Sequence, residues 1–336
     1  MVSLKVADTS NLIAAVPCLL GFHPEDSLVV LVVSQGQVTA TLRLDLPAKR
    51  HRSQVADQIA RCVRNQENPA GVILVVYGGG TVDAVDILPQ AGLIDELDYS
   101  LTCVRVKVLE AVWLEASVSG ATWHCYCGCG RTGALPELEE TEVAAVTAAR
   151  GLVTFATRAE VAAQVAPVAE DILERRSALL DEASSGPRPE GAAGWKLVRA
   201  AVAAMAERSE SLSDDEVVQL ALALSDLRVR DASLSLAVDA TAAAAEQLLL
   251  ELTRGCPVPE RAEPATLLAF FAYLRGDGGL ASEALTQAAA ACPGHRLAGL
   301  MRHALDEGLS PARVRELAID AAAEARSLCE DDAHAD

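Results

Sequence analysis

The sequence predicts an α/β mixed-sheet N-terminal domain followed by an all-α helical C-terminal domain. Three observations predict it. Before residue 130 the chain holds several short apolar runs rich in Val, Leu and Ile, bounded by Gly, Pro and Ser. After ELEETE, from about residue 139, it turns for good to Ala, Leu, Glu and Arg with helical spacing. One stretch, DEASSGPRPEGAAG (residues 181–194), is poor in apolar residues and reads as a linker. The expected division is therefore a sheet domain with trailing helices over 1–180, a helical array over 195–328 and an acidic disordered tail over 329–336.

LIAAVPCLLG (residues 12–21) is apolar, short and interrupted by Pro17. It falls below the roughly 20 residues of a membrane span and lacks the flanks of a signal peptide. An amphipathic helix packed on a sheet is the expectation. LVVLVV (28–33) and VTATLRLDL (38–46) flank SQGQ and read as a hairpin, the first strand central and the second with one wet face. In RSQVADQIARCVRNQEN, Val55, Ile59, Cys62 and Val63 recur at helical spacing. GVILVVYGGG gives a further buried strand, and a helix is expected over 82–97. TCVRVKV, AVWLEASV and ATWHCYC then read as three successive strands, the last two turning at Ser119-Gly120. Strand, helix, strand in this order implies a mixed sheet with crossover helices.

In the helical half, Gly276, Ala281, Leu285, Ala288 and Pro293 have the offsets of the second half of a tetratricopeptide unit. Small residues at 281 and 288 would let two antiparallel helices approach closely, and the proline would end the second. Ala265 and Ala272 stand where that repeat has Trp and Tyr, and no second copy occurs 34 residues away.

Charge narrows the function classes. The net charge of −19 is divided unevenly, −3 over residues 1–135 and −16 over the rest. An acidic surface repels phosphate, so nucleic acid is not an expected partner, and neither is a membrane. Nine cysteines without an export signal point to a reducing cytoplasm and away from a disulfide framework.

The most chemical stretch is TWHCYCGCG (residues 122–130). His124, Cys125, Cys127 and Cys129 are soft ligands suited to zinc or an iron–sulfur cluster, with Cys103 a further candidate on the expected neighbouring strand. In a straight strand alternate cysteines share one face but lie about 6.8 Å apart, too wide for one ion. A turn at Gly128 and Gly130 would be needed to gather them, since glycine accepts positive φ. His124 would face the other way. Inert thiols at a strand end are the favoured reading of the spacing, with metal binding and a thiol-redox role as the alternatives.

GFHPEDS (21–27) gathers His23, Glu25, Asp26 and Ser27, which could line a pocket or simply build a turn ahead of the next strand. Gly78-Gly79-Gly80 follows a strand but lacks a phosphate-loop lysine and reads as a tight turn. Asp226, Arg228, Arg230 and Asp231 read as local ion pairs at a helix junction. There is no Gly-x-Ser-x-Gly, HExxH, EF-hand or kinase signature.

Gly21-Phe22, Pro24 and Ser27-Leu28-Val29 within residues 12–33, Gly151, Arg158-Ala-Glu160, LRVRDASL (227–234) and TLLAFFAYLRGDGGLASEAL (266–285) form a set of segments spread over both halves. In that order they resemble the actinobacterial family catalogued as domain of unknown function 4192. That family's cysteine region also has a tryptophan followed by cysteines, more widely spaced and with prolines at the exit. The resemblance implies no activity. Two function classes are thus carried forward. The first is a non-enzymatic interaction or regulatory protein whose acidic helical half meets another protein. The second is an enzyme or a small-ligand or metal sensor with its site at the strand ends. Self-association is left open, and no cofactor is firmly implied.

Overall fold

The computed structural model describes residues 8–82, 87–138, 141, 144, 145, 153–205, 207, 208 and 210–333. The chain forms two compact units, one up to Glu160 together with Asp306–Ser310, the other over Val161–Leu305 and from Pro311 onward.

The first unit is a mixed sheet of six strands, β1 (Ser27–Ser34), β2 (Gln37–Asp45), β3 (Gly71–Tyr77), β4 (Val108–Leu114), β5 (Thr122–Cys125) and β6 (Thr132–Ala134), in the order β2-β1-β3-β4-β5-β6. Only β3 and β4 run parallel; the other neighbours are antiparallel. A parallel pair needs a crossover, and helix α4 (Ala91–Cys103) supplies it. β1 and β3 are the continuously apolar runs, and every residue of both is buried. Such strands belong where both faces of a sheet are covered.

Alternation along the strands separates two cores. Val29, Leu31, Val33, Ile73, Val75 and Tyr77 pack beneath two short helices, α1 (Thr9–Ala14) and α2 (Val16–Leu20), through Leu12, Ile13 and Val16. Leu28, Val30, Val32, Val72, Leu74 and Val76 face α3 (Arg52–Arg64) and α4 through Ile59, Val63, Leu93, Leu97 and Leu101. The stretch 12–21 is thus helical and sheet-packed as expected. The β1–β2 turn has positive φ at Gln35 and Gly36, the twist that matches a tight hairpin.

One expected strand is absent. Of the expected strand TCVRVKV (102–108), residues 102–107 are not extended pairing strand, because α4 runs through Cys103 and β4 begins only at Val108. Leu93, Leu97 and Leu101 recur every fourth residue and are fully buried, so extending the helix covers more of the sheet than ending it would. The chain then reverses at Arg105, whose φ is +63°.

The second unit is helical: Glu170–Ala183, Gly191–Met205, Asp214–Leu224, Leu227–Ser233, Ala242–Gly255, Ala262–Arg275, Gly278–Ala291, Arg296–Asp306 and Pro311–Ala333. Residues 181–194 are the end of one of these helices, a turn and the start of the next. The last helix covers most of 329–336, of which 334–336 lie outside the described residues, as do the ELEETE residues 139, 140 and 142 and Gly151. Helices 262–275 and 278–291 form a tight pair. Gly276 closes the first with φ +90°, Asp277 caps the second through Leu280 N–H, and Ala269, Ala272, Ala281, Ala284 and Ala288 are fully buried. Asp226 caps the helix starting at Leu227, and Arg230 pairs with Asp231, so that charge cluster is largely satisfied locally. No helix among the described residues is long and apolar enough to cross a membrane.

Candidate metal centre

β5 is the strand that delivers the cysteines. It lies between β4 and β6, with Val112 opposite Cys125, Trp113 opposite His124, and Trp123 opposite Gly133. Trp123 and Cys125 point into the core beneath α1 and α2. Trp123 Nε1 donates to Ser10 Oγ at 2.9 Å, which ties the strand to the start of α1. Its indole lies against Gly133, where a Cβ would stand only 2.7 Å from Nε1. Glycine at 133 is therefore a packing requirement.

Beyond Cys125 the strand stops. Cys125 N–H still donates to Arg131 O at 3.0 Å and Tyr126 N–H to Ala111 O at 2.9 Å, so both ends of the following turn are anchored to the sheet. Between these anchors the chain reverses through Gly128 (φ +71°) and Gly130 (φ +70°). The reversal replaces strand spacing with close approach. Cys125 Sγ donates to Cys127 Sγ at 2.9 Å, and the Cys127 and Cys129 sulfurs are 2.8 Å apart. Cys127 N–H also points at Cys125 Sγ, 3.4 Å away. All three sulfurs fall within 4.8 Å of one another, and they form the only such group of His, Cys, Asp or Glu donors among the described residues. Cys125 is buried; Cys127 and Cys129 are exposed.

The electrostatics separate Cys127 from Cys125. Hydrogen bonding with the Cys125 side chain and then with the Cys129 side chain lowers Cys127 to about 7, with a smaller contribution from the Arg131 charge. Burial, followed by the hydrogen bond it gives to Cys127, raises Cys125 to about 11. The Glu110 carboxylate, followed by the nearby Cys125 side chain, raises Arg131 above its ordinary value and so holds its charge in place. Glu110 in turn accepts from Thr9 Oγ1 at 2.7 Å. The Arg131 guanidinium also lies 5.9 Å from the Trp123 ring centre. A thiolate cluster here therefore has a fixed cation beside it.

The other candidate residues are placed elsewhere. His124 faces the opposite side of the sheet, its ring 5.8 Å from that of Trp113. Cys103 ends α4, exposed and outside the sulfur group. In the 21–27 loop, His23 Nδ1 lies 2.8 Å from Ser117 O, Asp26 Oδ1 accepts from Gly79 N–H at 2.8 Å, and Ser27 Oγ donates to Glu25 O. Ser27 is fully buried and also accepts from Arg43 Nε at 2.9 Å, while Glu25 is exposed. The Asp26 carboxylate thus holds the Gly78-Gly79-Gly80 turn, in which all three glycines have positive φ. Arg131, Glu110 and Thr9 were not among the sequence candidates. A lone acid in the apolar run VLEAVWL was the available signal, since a charge there needs a partner.

A family model described as a domain of unknown function, DUF4192, matches residues 10–312. The chain belongs to that family. No curated protein and no solved structure shows a match to it. The matched span includes the whole sheet, the cysteine turn of this DUF4192 chain and most of the helical unit.

Three sulfurs on one short turn are a soft donor set. A tetrahedral zinc–thiolate site with Zn–S of ~2.3 Å has S···S edges of about 3.8 Å. The edges of 2.8 and 2.9 Å would open by roughly 1 Å around such an ion. The two positive-φ glycines flank Cys129, the residue that would move most freely. The donor set of this DUF4192 turn therefore fits a soft ion in number, chemistry and reach.

Proposed function

We propose that this DUF4192 chain binds a soft metal ion through Cys125, Cys127 and Cys129, and that the sheet unit is a metal-binding or metal-sensing module. The observation that carries the reading is the turn that brings three sulfurs within 4.8 Å of one another where a straight strand would hold neighbours about 6.8 Å apart. Arg131, fixed by Glu110, offsets the negative charge that three thiolates gather. The compartment that suits the reading is the cytoplasm, where reduced thiols are maintained.

Elemental analysis of untagged full-length protein, purified without chelator and without oxygen, tests it together with titration of reactive thiols. The expected result is about one soft metal ion per chain, with three thiols protected until the metal is removed. Metal far below one per chain, with every native thiol as reactive as before chelation, would overturn the reading.

The balance of −16 over residues 136–336 favours a second role for the helical unit, as a non-enzymatic docking surface for a basic partner protein. The tetratricopeptide-like pair 262–275 and 278–291 is the type of helical hairpin that such surfaces use. A captured partner that stays bound as salt is raised would count against this role.

A further inference from the structure

Resting on the reading of the turn as a metal site, we propose that its ion is monovalent copper, held in a three-coordinate, all-sulfur site by Cys125, Cys127 and Cys129. The argument is one of donor number. Structural zinc sites close with four ligands, and iron–sulfur clusters are held by four cysteines in most proteins. Among the described residues no histidine nitrogen, carboxylate or fourth sulfur joins this group. His124, next in sequence, is turned to the other face of the sheet beside Trp113. Cys103 is at the end of α4, outside the group.

A zinc ion here would need water or an outside ligand to complete its shell. Catalytic zinc sites accept that, but within a cleft that shapes the open position. This site is instead an exposed turn, with Cys127 and Cys129 both in solvent. Monovalent copper has a filled d shell, prefers thiolate sulfur and is satisfied by three donors. With metal–sulfur bonds near the ~2.3 Å of zinc thiolates, a flat three-sulfur site has edges of about 4 Å. The turn already holds its three sulfurs within 4.8 Å, so the rearrangement is a widening of two edges that Gly128 and Gly130 allow.

Loading involves no electron transfer. Copper enters and leaves as the monovalent ion, each protonated cysteine releases one proton as its copper–sulfur bond forms, and Arg131 offsets part of the resulting double negative charge. The two exposed sulfurs are open to an incoming thiolate, so exchange proceeds through a mixed complex in which donor and acceptor share the ion. The chemical class of partner that fits is therefore a thiolate-bound copper(I) donor or acceptor.

The test uses reduced full-length protein under anaerobic conditions. It is titrated with copper(I) against bathocuproine disulfonate and, separately, with zinc against a chelating dye of calibrated affinity. One copper per chain is expected to be withdrawn from the competitor, with X-ray absorption showing three sulfur neighbours and no nitrogen. Cys127→Ser is expected to weaken copper binding by on the order of a hundredfold or more, while Cys103→Ser leaves it unchanged; circular dichroism confirms that both variants are folded. Zinc held at one per chain with affinity equal to or above that for copper would overturn the copper assignment and leave the metal reading standing. So would a nitrogen neighbour from His124. Neither ion bound, or binding unchanged by Cys127→Ser in a folded protein, would overturn both.

Discussion

Replacing Gly133 with alanine reaches the cysteine turn without touching a sulfur. Gly133 lies opposite Trp123 on β6, and an added Cβ would stand 2.7, 2.8 and 2.9 Å from Nε1, Cε2 and Cζ2 of the indole. The indole is buried, so it yields only by shifting the sheet edge or by leaving Ser10 Oγ. Overpacking of this type costs about 1–3 kcal/mol, and the lost Trp123–Ser10 hydrogen bond about 1 kcal/mol more. The alanine recovers roughly 0.5–1 kcal/mol by restricting the unfolded chain. The expected net loss is ~1–3.5 kcal/mol, which for a urea dependence of about 2 kcal/mol per molar lowers the sheet unit's midpoint by roughly 0.5–2 M.

Hydrogen exchange read by mass spectrometry over residues 108–135, together with urea unfolding, separates this local effect from changes in the helical unit. Faster exchange is expected on β5 and β6, along with a change in tryptophan fluorescence. Arg131, the residue before β6, moves with the shifted edge, so metal retention falls as well. A variant within about 0.5 kcal/mol of the parent, with unchanged exchange on β5 and β6, would refute the claim that Gly133 is required by packing.

Three further outcomes are expected. In metal-free protein, alkylation of Cys127 should rise as pH passes upward through about 7, whereas Cys125 should stay slow until pH approaches about 11, as peptide mapping with a thiol reagent would show. Asp214 accepts from Arg175 Nε at 2.5 Å and from the buried Arg176 at 2.8 Å, and these two arginines lower it to about 2. Its contribution is therefore fully present above the ordinary aspartate value and lost as pH falls toward 2. Asp214→Asn should cost ~1–2 kcal/mol at pH 7, the figure reduced because the pair is partly exposed, and the difference from the parent should vanish near pH 2 in thermal melts. Asp26→Ala removes the acceptor for Gly79 N–H and leaves alanine at φ +39°, so a loss of ~1–3 kcal/mol is expected by chemical denaturation, with Asp26→Asn milder.

The sheet was legible wherever burial alone decided the structure. The runs at 28–33 and 72–77 are apolar at every position, short and bounded by turn residues, the pattern of a strand covered on both faces. The hairpin turn at Gln35-Gly36 was equally clear from its residues. The stretch 102–108 misled because Val104, Val106 and Val108 alternate like a strand. The four-residue spacing of Leu93, Leu97 and Leu101 outweighed that alternation, and this requires knowing that α4 lies on the sheet. For the cysteines, strand geometry posed the question correctly: without a bend, no site. Gly128 and Gly130 carried the signal for the bend, but where Cys125 stops pairing depends on Tyr126 reaching Ala111, a contact 15 residues away in sequence. The partners of Glu110 could not be named for the same reason, since Arg131 just ahead of β6, Glu110 on β4 and Thr9 on α1 meet only in the folded sheet.

Mapping thiol protection on the intact chain tests the central claim most directly. Reduced protein is alkylated briefly with and without one equivalent of soft metal ion, then digested and read by mass spectrometry. Cys125, Cys127 and Cys129 should be protected together when the ion is present, while the exposed Cys103 stays reactive. Three cysteines that alkylate at the same rate with and without the ion would contradict the account.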